Sequence, residues 1–73
     1  FSIAKRSMVN LKIYDLKGQV IQSLTDKNYN AGNYILNWDA KDTFGHQVPT
    51  GVYFLKLFIE GQYQKTEKVL FLK

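Results

Sequence analysis

The chain predicts a small all-β fold, an antiparallel sandwich of about six to seven short strands, and three observations carry that prediction. Apolar and polar residues alternate with a period of two in several stretches, as they do when one face of a strand is buried. Turn residues, chiefly glycine, asparagine and aspartate, separate those stretches at short intervals. No stretch shows the 3.6-residue periodicity of an amphipathic helix. With 73 residues there is room for one domain only, and with 45% apolar and 15% aromatic residues the chain is too rich in core formers to be disordered.

In VNLKIYD, Val9, Leu11 and Ile13 alternate with Asn10, Lys12 and Tyr14, the clearest strand pattern in the sequence. DLKG follows as a turn, because Asp15 can hydrogen-bond backbone groups just ahead of it and Gly18 tolerates positive φ. The chain then returns from Gln19 to Thr25 as the second arm of a hairpin, with Val20 and Leu24 expected in the core. TDKNYNAG, Thr25 to Gly32, is polar and reads as a connection. NYILNWD reads as a third strand with Tyr34, Leu36 and Trp38 turned inward. GVYFLKLFI, Gly51 to Ile59, predicts a central strand with Tyr53, Leu55, Leu57 and Ile59 on one face. Glu60, Gly61 and Gln62 make a short turn, Tyr63 to Leu72 is the last strand, and Phe1 to Ala4 adds a further one. Strands of this length and spacing predict an immunoglobulin-type, fibronectin-III-like sandwich.

Composition removes several classes of function. The net charge is +4, but the lysines are scattered singly and only Lys5 and Arg6 adjoin, so no basic stripe for nucleic acid is expected. Without cysteine there is neither a disulfide nor a thiolate-ligated metal. No signal peptide pattern is present, and no apolar run approaches the roughly 18 residues of a membrane span. Opening at Phe1, residues 1–73 read as a single domain cut from a longer protein.

The polar residues supply little chemistry. His46 is the sole imidazole and lies beside glycine in a polar loop, where a solvated side chain is the plainer reading than a general base. Ser2, Ser7 and Ser23 lie in or beside strands without a glycine-flanked elbow. Asp39 and Asp42, three residues apart, could offer oxygen ligands to calcium, but they fit turn hydrogen bonds better. Trp38 could stack on a sugar ring, yet its place in the Tyr34, Leu36, Trp38 alternation makes it a core filler. No catalytic residue, cofactor or metal ligand is assigned.

Taken in order, VNLKIYDLKGQVI, AGNYILNWDAKDTFGHQVPTGVYFLKL and KVLFLK resemble one family pattern over nearly the whole chain. It is that of the Ig-like domain of the flagellar hook-capping protein, which merges with the type A C-terminal sorting domains of type IX secretion cargo. The matching positions are Tyr14, Asp15, Gly18, Ala31, Gly32, Trp38, Asp39, Gly45, Gly51, Tyr53 and Phe54. Ala40 stands where that family often carries glycine. The ending KVLFLK is similar to the lysine-plus-apolar close of the sorting domains.

That resemblance implies a non-catalytic C-terminal domain that directs a cargo protein through the type IX secretion system for export or cell-surface attachment. Its implied partners are secretion-machinery proteins at the outer membrane and a cargo domain N-terminal to this segment. Its implied localisation is secreted or cell-surface, by way of the periplasm. Lys68, Val69, Leu70, Phe71, Leu72 and Lys73 are the candidate recognition strand, since an apolar strand at a sheet edge can be offered to a partner. Gly51, Tyr53 and the other motif residues are expected to shape the fold. The alternatives are a structural Ig-like module of a flagellar hook-cap or surface protein, and a carbohydrate-binding accessory domain.

Overall fold

The computed structural model describes residues 1–61 and 63–72. Among the described residues six strands form: β1 (Ser2–Ile3), β2 (Ser7–Tyr14), β3 (Val20–Tyr29), β4 (Gly32–Asn33), β5 (Gly51–Ile59) and β6 (Tyr63–Phe71). The long strands make one antiparallel sheet in the order β3-β2-β5-β6, and β1 pairs with β4 in a second, two-stranded sheet. The fold is therefore the small all-β sandwich that the sequence predicts, with β5 interior to its sheet.

Alternation in the sequence becomes the inner face of the four-stranded sheet. Ser7, Val9, Leu11 and Ile13 of β2 are buried while the residues between them are half-exposed. The β2–β5 register sets Val9 opposite Ile59, Leu11 opposite Leu57 and Ile13 opposite Leu55. The core has two centres. Ile3, Val9, Tyr29 and Ile59 form one, with Phe1 and Tyr34 packed on it. Ile13, Ala40, Val48 and Tyr53 form the other, supported by Trp38, Ile21 and Phe71. Val9, Ile13 and Ile59 are all but sealed from solvent, and each such side chain stabilises the fold by about 1.5–3 kcal/mol.

β3 departs from the expected pattern in two ways. It runs on to Tyr29, through residues 26–29 that read as a turn-rich connection. Asp26, Lys27 and Asn28 are exposed there, so their polarity marks strand surface rather than a loop, and pairing with β2 supplies their backbone bonds. Secondly, the β2–β3 register shifts after Leu11 and again after Ile13. Each shift leaves one β3 residue, Leu24 and then Ile21, without an opposite number, and both pack on the Ile13 centre. Val20, expected in the core, is 50% exposed, because the bulge hands its place to Ile21.

The expected third strand shrinks to Gly32–Asn33, and residues 34–39 belong to no strand. A strand needs a neighbour to bond with, and the backbone pairing along β1 ends with Phe1 opposite Tyr34. Tyr34 and Trp38 nonetheless pack inward, whereas Leu36, expected to join them, is exposed. The short first strand is likewise Ser2–Ile3 rather than Phe1 to Ala4. Gln62 of the expected turn lies outside the described residues.

Candidate interaction site

The chain from Trp38 to Gly51 concentrates the polar and aromatic motif residues, and its geometry is that of a built connection. Asp42 Oδ1 accepts the backbone N–H groups of Phe44 and His46, both at 2.9 Å. The Asp42 N–H donates to the His46 carbonyl at 2.8 Å, and Gly45 closes the turn at φ 83°. Asp39 Oδ1 accepts the Lys41 N–H at 3.2 Å. His46 is left with its side chain 80% exposed, its Nδ1 3.9 Å from Asp42 Oδ2. Both carboxylates thus spend acceptor capacity on their own loop, and the described residues hold no cluster of three metal-ligating side chains. The loop is fastened to the sheet at the β3 bulge, where the Ile21 carbonyl accepts both Thr43 N–H at 2.9 Å and Thr43 Oγ1–H at 3.1 Å.

Below the loop lies an aromatic corner. Trp38 meets Tyr53 edge-on with ring centres 5.3 Å apart, and Phe71 closes its far side at 6.4 Å. The indole N–H donates to the Lys41 carbonyl at 2.9 Å. Tyr53 Oη donates to the Pro49 carbonyl at 2.7 Å, the same backward reach by which a tyrosine pins a corner in immunoglobulin sandwiches. The half-buried indole thus has its N–H bonded and its ring packed against Tyr53 and Phe71, the engagements of a packing residue. Ala40, at the position where glycine is often found, sits at φ 61° with its methyl buried in the second core centre.

The other motif residues sit at turns and on the outer face. Gly18 and Gly32 have φ of 82° and 153°. Gly51 opens β5 opposite Phe71, Phe54 pairs with Tyr14 and Lys68 on the outer face, and Ala31 is exposed beside Gly32. Lys56 Nζ stands 4.7 Å over the Tyr14 ring on that same face, a contact worth about 0.5–1 kcal/mol where solvent has access.

The candidate recognition strand falls at the end of β6, an edge strand that among the described residues pairs with β5 alone. Val69 and Phe71 turn inward opposite Tyr53 and Gly51, while Lys68 and Leu70 face outward opposite Phe54 and Val52. Leu70 is 61% and Leu72 67% exposed. The two leucines and the unpaired side of the backbone are accessible together. Lys73 lies outside the described residues.

The sequence reading did not single out a cleft that opens over the inner face, with a volume of about 650 Å³. Its floor is Leu11, Leu55 and Leu57, its walls include Phe1, Tyr34 and Leu36, and Lys65 and Glu67 pair on its rim. The signal was available in the adjacent Ile35 and Leu36, two aliphatic residues in a segment that belongs to no strand.

A four-stranded antiparallel sheet, a partial second layer, a tyrosine pinned to its corner and aspartates spent on turns define an Ig-like module whose polar residues build the fold. Comparison with family models matches residues 4–62 to the FlgD Ig-like domain, and the chain belongs to that family. Comparisons with curated proteins and with solved structures returned no match.

Proposed function

We propose that the chain is a structural, non-catalytic Ig-like module of flagellar hook-cap type, used for spacing and assembly within a larger protein. The family match across residues 4–62 carries this reading. Consistent with it, Asp39, Asp42, Trp38 and Tyr53 each use a polar side-chain atom in a hydrogen bond to the fold's own backbone. The test is a graft. Residues 1–73 replace the Ig-like domain of a flagellar hook-capping protein, and hooks are counted by electron microscopy. Assembled hooks support the reading, whereas a folded chimera without hooks overturns it.

A second reading, the type IX sorting domain, is favoured by one observation. The exposed Leu70 and Leu72 at the open edge of β6 lie beyond residue 62, outside the span that the family match accounts for. An edge strand with exposed apolar residues suits strand addition by a partner. Partners at the outer membrane and a secreted or cell-surface destination belong to this reading. Fusion to a reporter in a bacterium with a type IX system separates the two: export that is lost on deleting residues 69–73 supports sorting, and a folded fusion held in the periplasm rules it out.

A further inference from the structure

The two-stranded sheet runs out of partner at a defined place. Ile3 pairs with Gly32 and Ser2 with Asn33. The next rung is made by Phe1, whose amino group donates to the Tyr34 carbonyl at 2.7 Å while the Tyr34 N–H donates to the Phe1 carbonyl at 2.8 Å. This is a full hydrogen-bonded pair, so the ladder stays in register to its last residue. Beyond it, no backbone group of residues 35–38 has a backbone partner among the described residues. Ile35 is 87% exposed. The 650 Å³ cleft lies beside this bare segment, with apolar Leu55 and Leu57 at its floor.

We propose that this groove is the seat of one more antiparallel strand: an extended segment joined to the amino side of Phe1, continuing the line of β1 alongside residues 35–38. The proposal goes beyond spacing and assembly, because it names the surface and the backbone register that receive the strand. Phe1 and Tyr34 stack on the inner side with ring centres 5.5 Å apart, and side chains alternate along a strand. The second and fourth residues upstream of Phe1 therefore face the cleft, over Leu36 and towards Trp38, and are apolar in a strand that fits. The first and third face outward beside Ile35 and Asn37. Hydrogen-bonded pairs recur at every second residue in an antiparallel ladder. Leu36 and Trp38 consequently exchange bonds with the incoming strand, and the N–H groups of Ile35 and Asn37 do not.

That alternation makes the proposal testable residue by residue. The 73-residue chain is compared with one carrying five added residues before Phe1, valine at the second and fourth positions upstream and threonine elsewhere, and with a third whose two valines are prolines. Amide exchange is followed by NMR, and mass by light scattering. The expected result is exchange slowed by about tenfold or more at Leu36 and Trp38 alone, in the valine chain only, with a higher melting temperature. Equal exchange at all four positions in a folded valine chain overturns the proposal. So does protection that persists with the prolines, and so does protection that rises with protein concentration alongside a dimer mass, which would make a second copy the occupant.

Discussion

Asp42 repeats, bond for bond, what Asp15 does 27 positions earlier in the chain. Asp15 Oδ1 accepts the N–H groups of Lys17 and Gln19 at 2.8 and 2.9 Å, as Asp42 Oδ1 accepts those of Phe44 and His46. The Asp15 N–H reaches the Gln19 carbonyl at 3.0 Å, and Gly18 and Gly45 each donate to their aspartate's carbonyl at 3.1 Å. Their φ values, 82° and 83°, agree as well. DLKGQ and DTFGH are thus one turn used twice. The shared pattern is an aspartate that caps its own turn and a glycine, three residues on, in the left-handed region.

The carboxylate's charge is incidental to that job, because an amide oxygen can accept the same bonds. Asp15→Asn and Asp42→Asn are expected to stay close to the parent in stability, whereas either alanine variant loses about 1–2 kcal/mol. Urea melts read the difference as a shift in midpoint at constant slope. A role for Asp42 in binding a cation would show the opposite pattern, with the asparagine variant losing a calcium-dependent stabilisation.

Thr25 Oγ1 and Tyr29 Oη, four residues apart on the same face of β3, share a buried hydrogen bond of 2.6 Å. Removing one partner leaves the other buried and unpaired, so Thr25→Val and Tyr29→Phe should each cost about 1–3 kcal/mol. In the double variant neither group is left stranded. Its cost is expected to fall below the sum of the singles, and a double-mutant cycle by denaturant melts measures the coupling.

This same pair explains where the sequence misleads. In TDKNY a threonine, an aspartate, a lysine and an asparagine outweigh one tyrosine, and propensity reads a connection. The strand forms because β2 already presents a row of backbone groups to pair with, and because Thr25 and Tyr29 seal each other's hydroxyls. β2 was legible because its period-two pattern alternates without interruption, and β5 because it is a largely apolar run of strand length whose register with β2 never shifts. β3 was less so, since the bulges at Leu24 and Ile21 shift that period twice within a few residues. NYILNWD failed for the opposite reason: its alternation is sound, but alternation does not supply a neighbour. Of the candidate site, the roles of Asp39, Asp42 and Tyr53 could be read from residue type and position. The cleft left only a partial trace, the adjacent aliphatic Ile35 and Leu36, because it depends on how residues 34–36 meet the inner face of β2 and β5 in space.

Ala40 holds a left-handed conformation, φ 61°, that costs a residue with a Cβ about 1–2 kcal/mol relative to glycine. Its methyl is buried against the second core centre, which returns about 0.8 kcal/mol. Glycine also loses more freedom on folding. These terms nearly cancel, so Ala40→Gly is expected to lie within about 1 kcal/mol of the parent. Ala40→Val carries a branched side chain into the same backbone region and a filled space, and should lose at least about 2 kcal/mol. Thermal melts of the two variants distinguish a strained backbone from mere loss of volume, since volume loss alone would make glycine the worse of the two.

The Trp38–Tyr53 corner joins the loop to the sheet, and its rings and its polar atoms can be tested apart. Tyr53→Phe keeps the edge-on contact with Trp38 and forfeits only the bond to the Pro49 carbonyl, a loss of about 1 kcal/mol. Trp38→Phe keeps an aromatic ring and leaves the Lys41 carbonyl without its indole donor, at a similar cost. Either alanine variant empties the corner and is expected to lose about 3–5 kcal/mol. That is a large share of what a domain of 73 residues possesses. The order, phenylalanine variants folded and alanine variants near unfolding at 25 °C, is read by circular dichroism and, for the Tyr53 pair, by Trp38 fluorescence. If Trp38→Ala instead melted close to the parent, the indole would not be a packing element, and a role in contacting a ligand would have to replace the one argued for it.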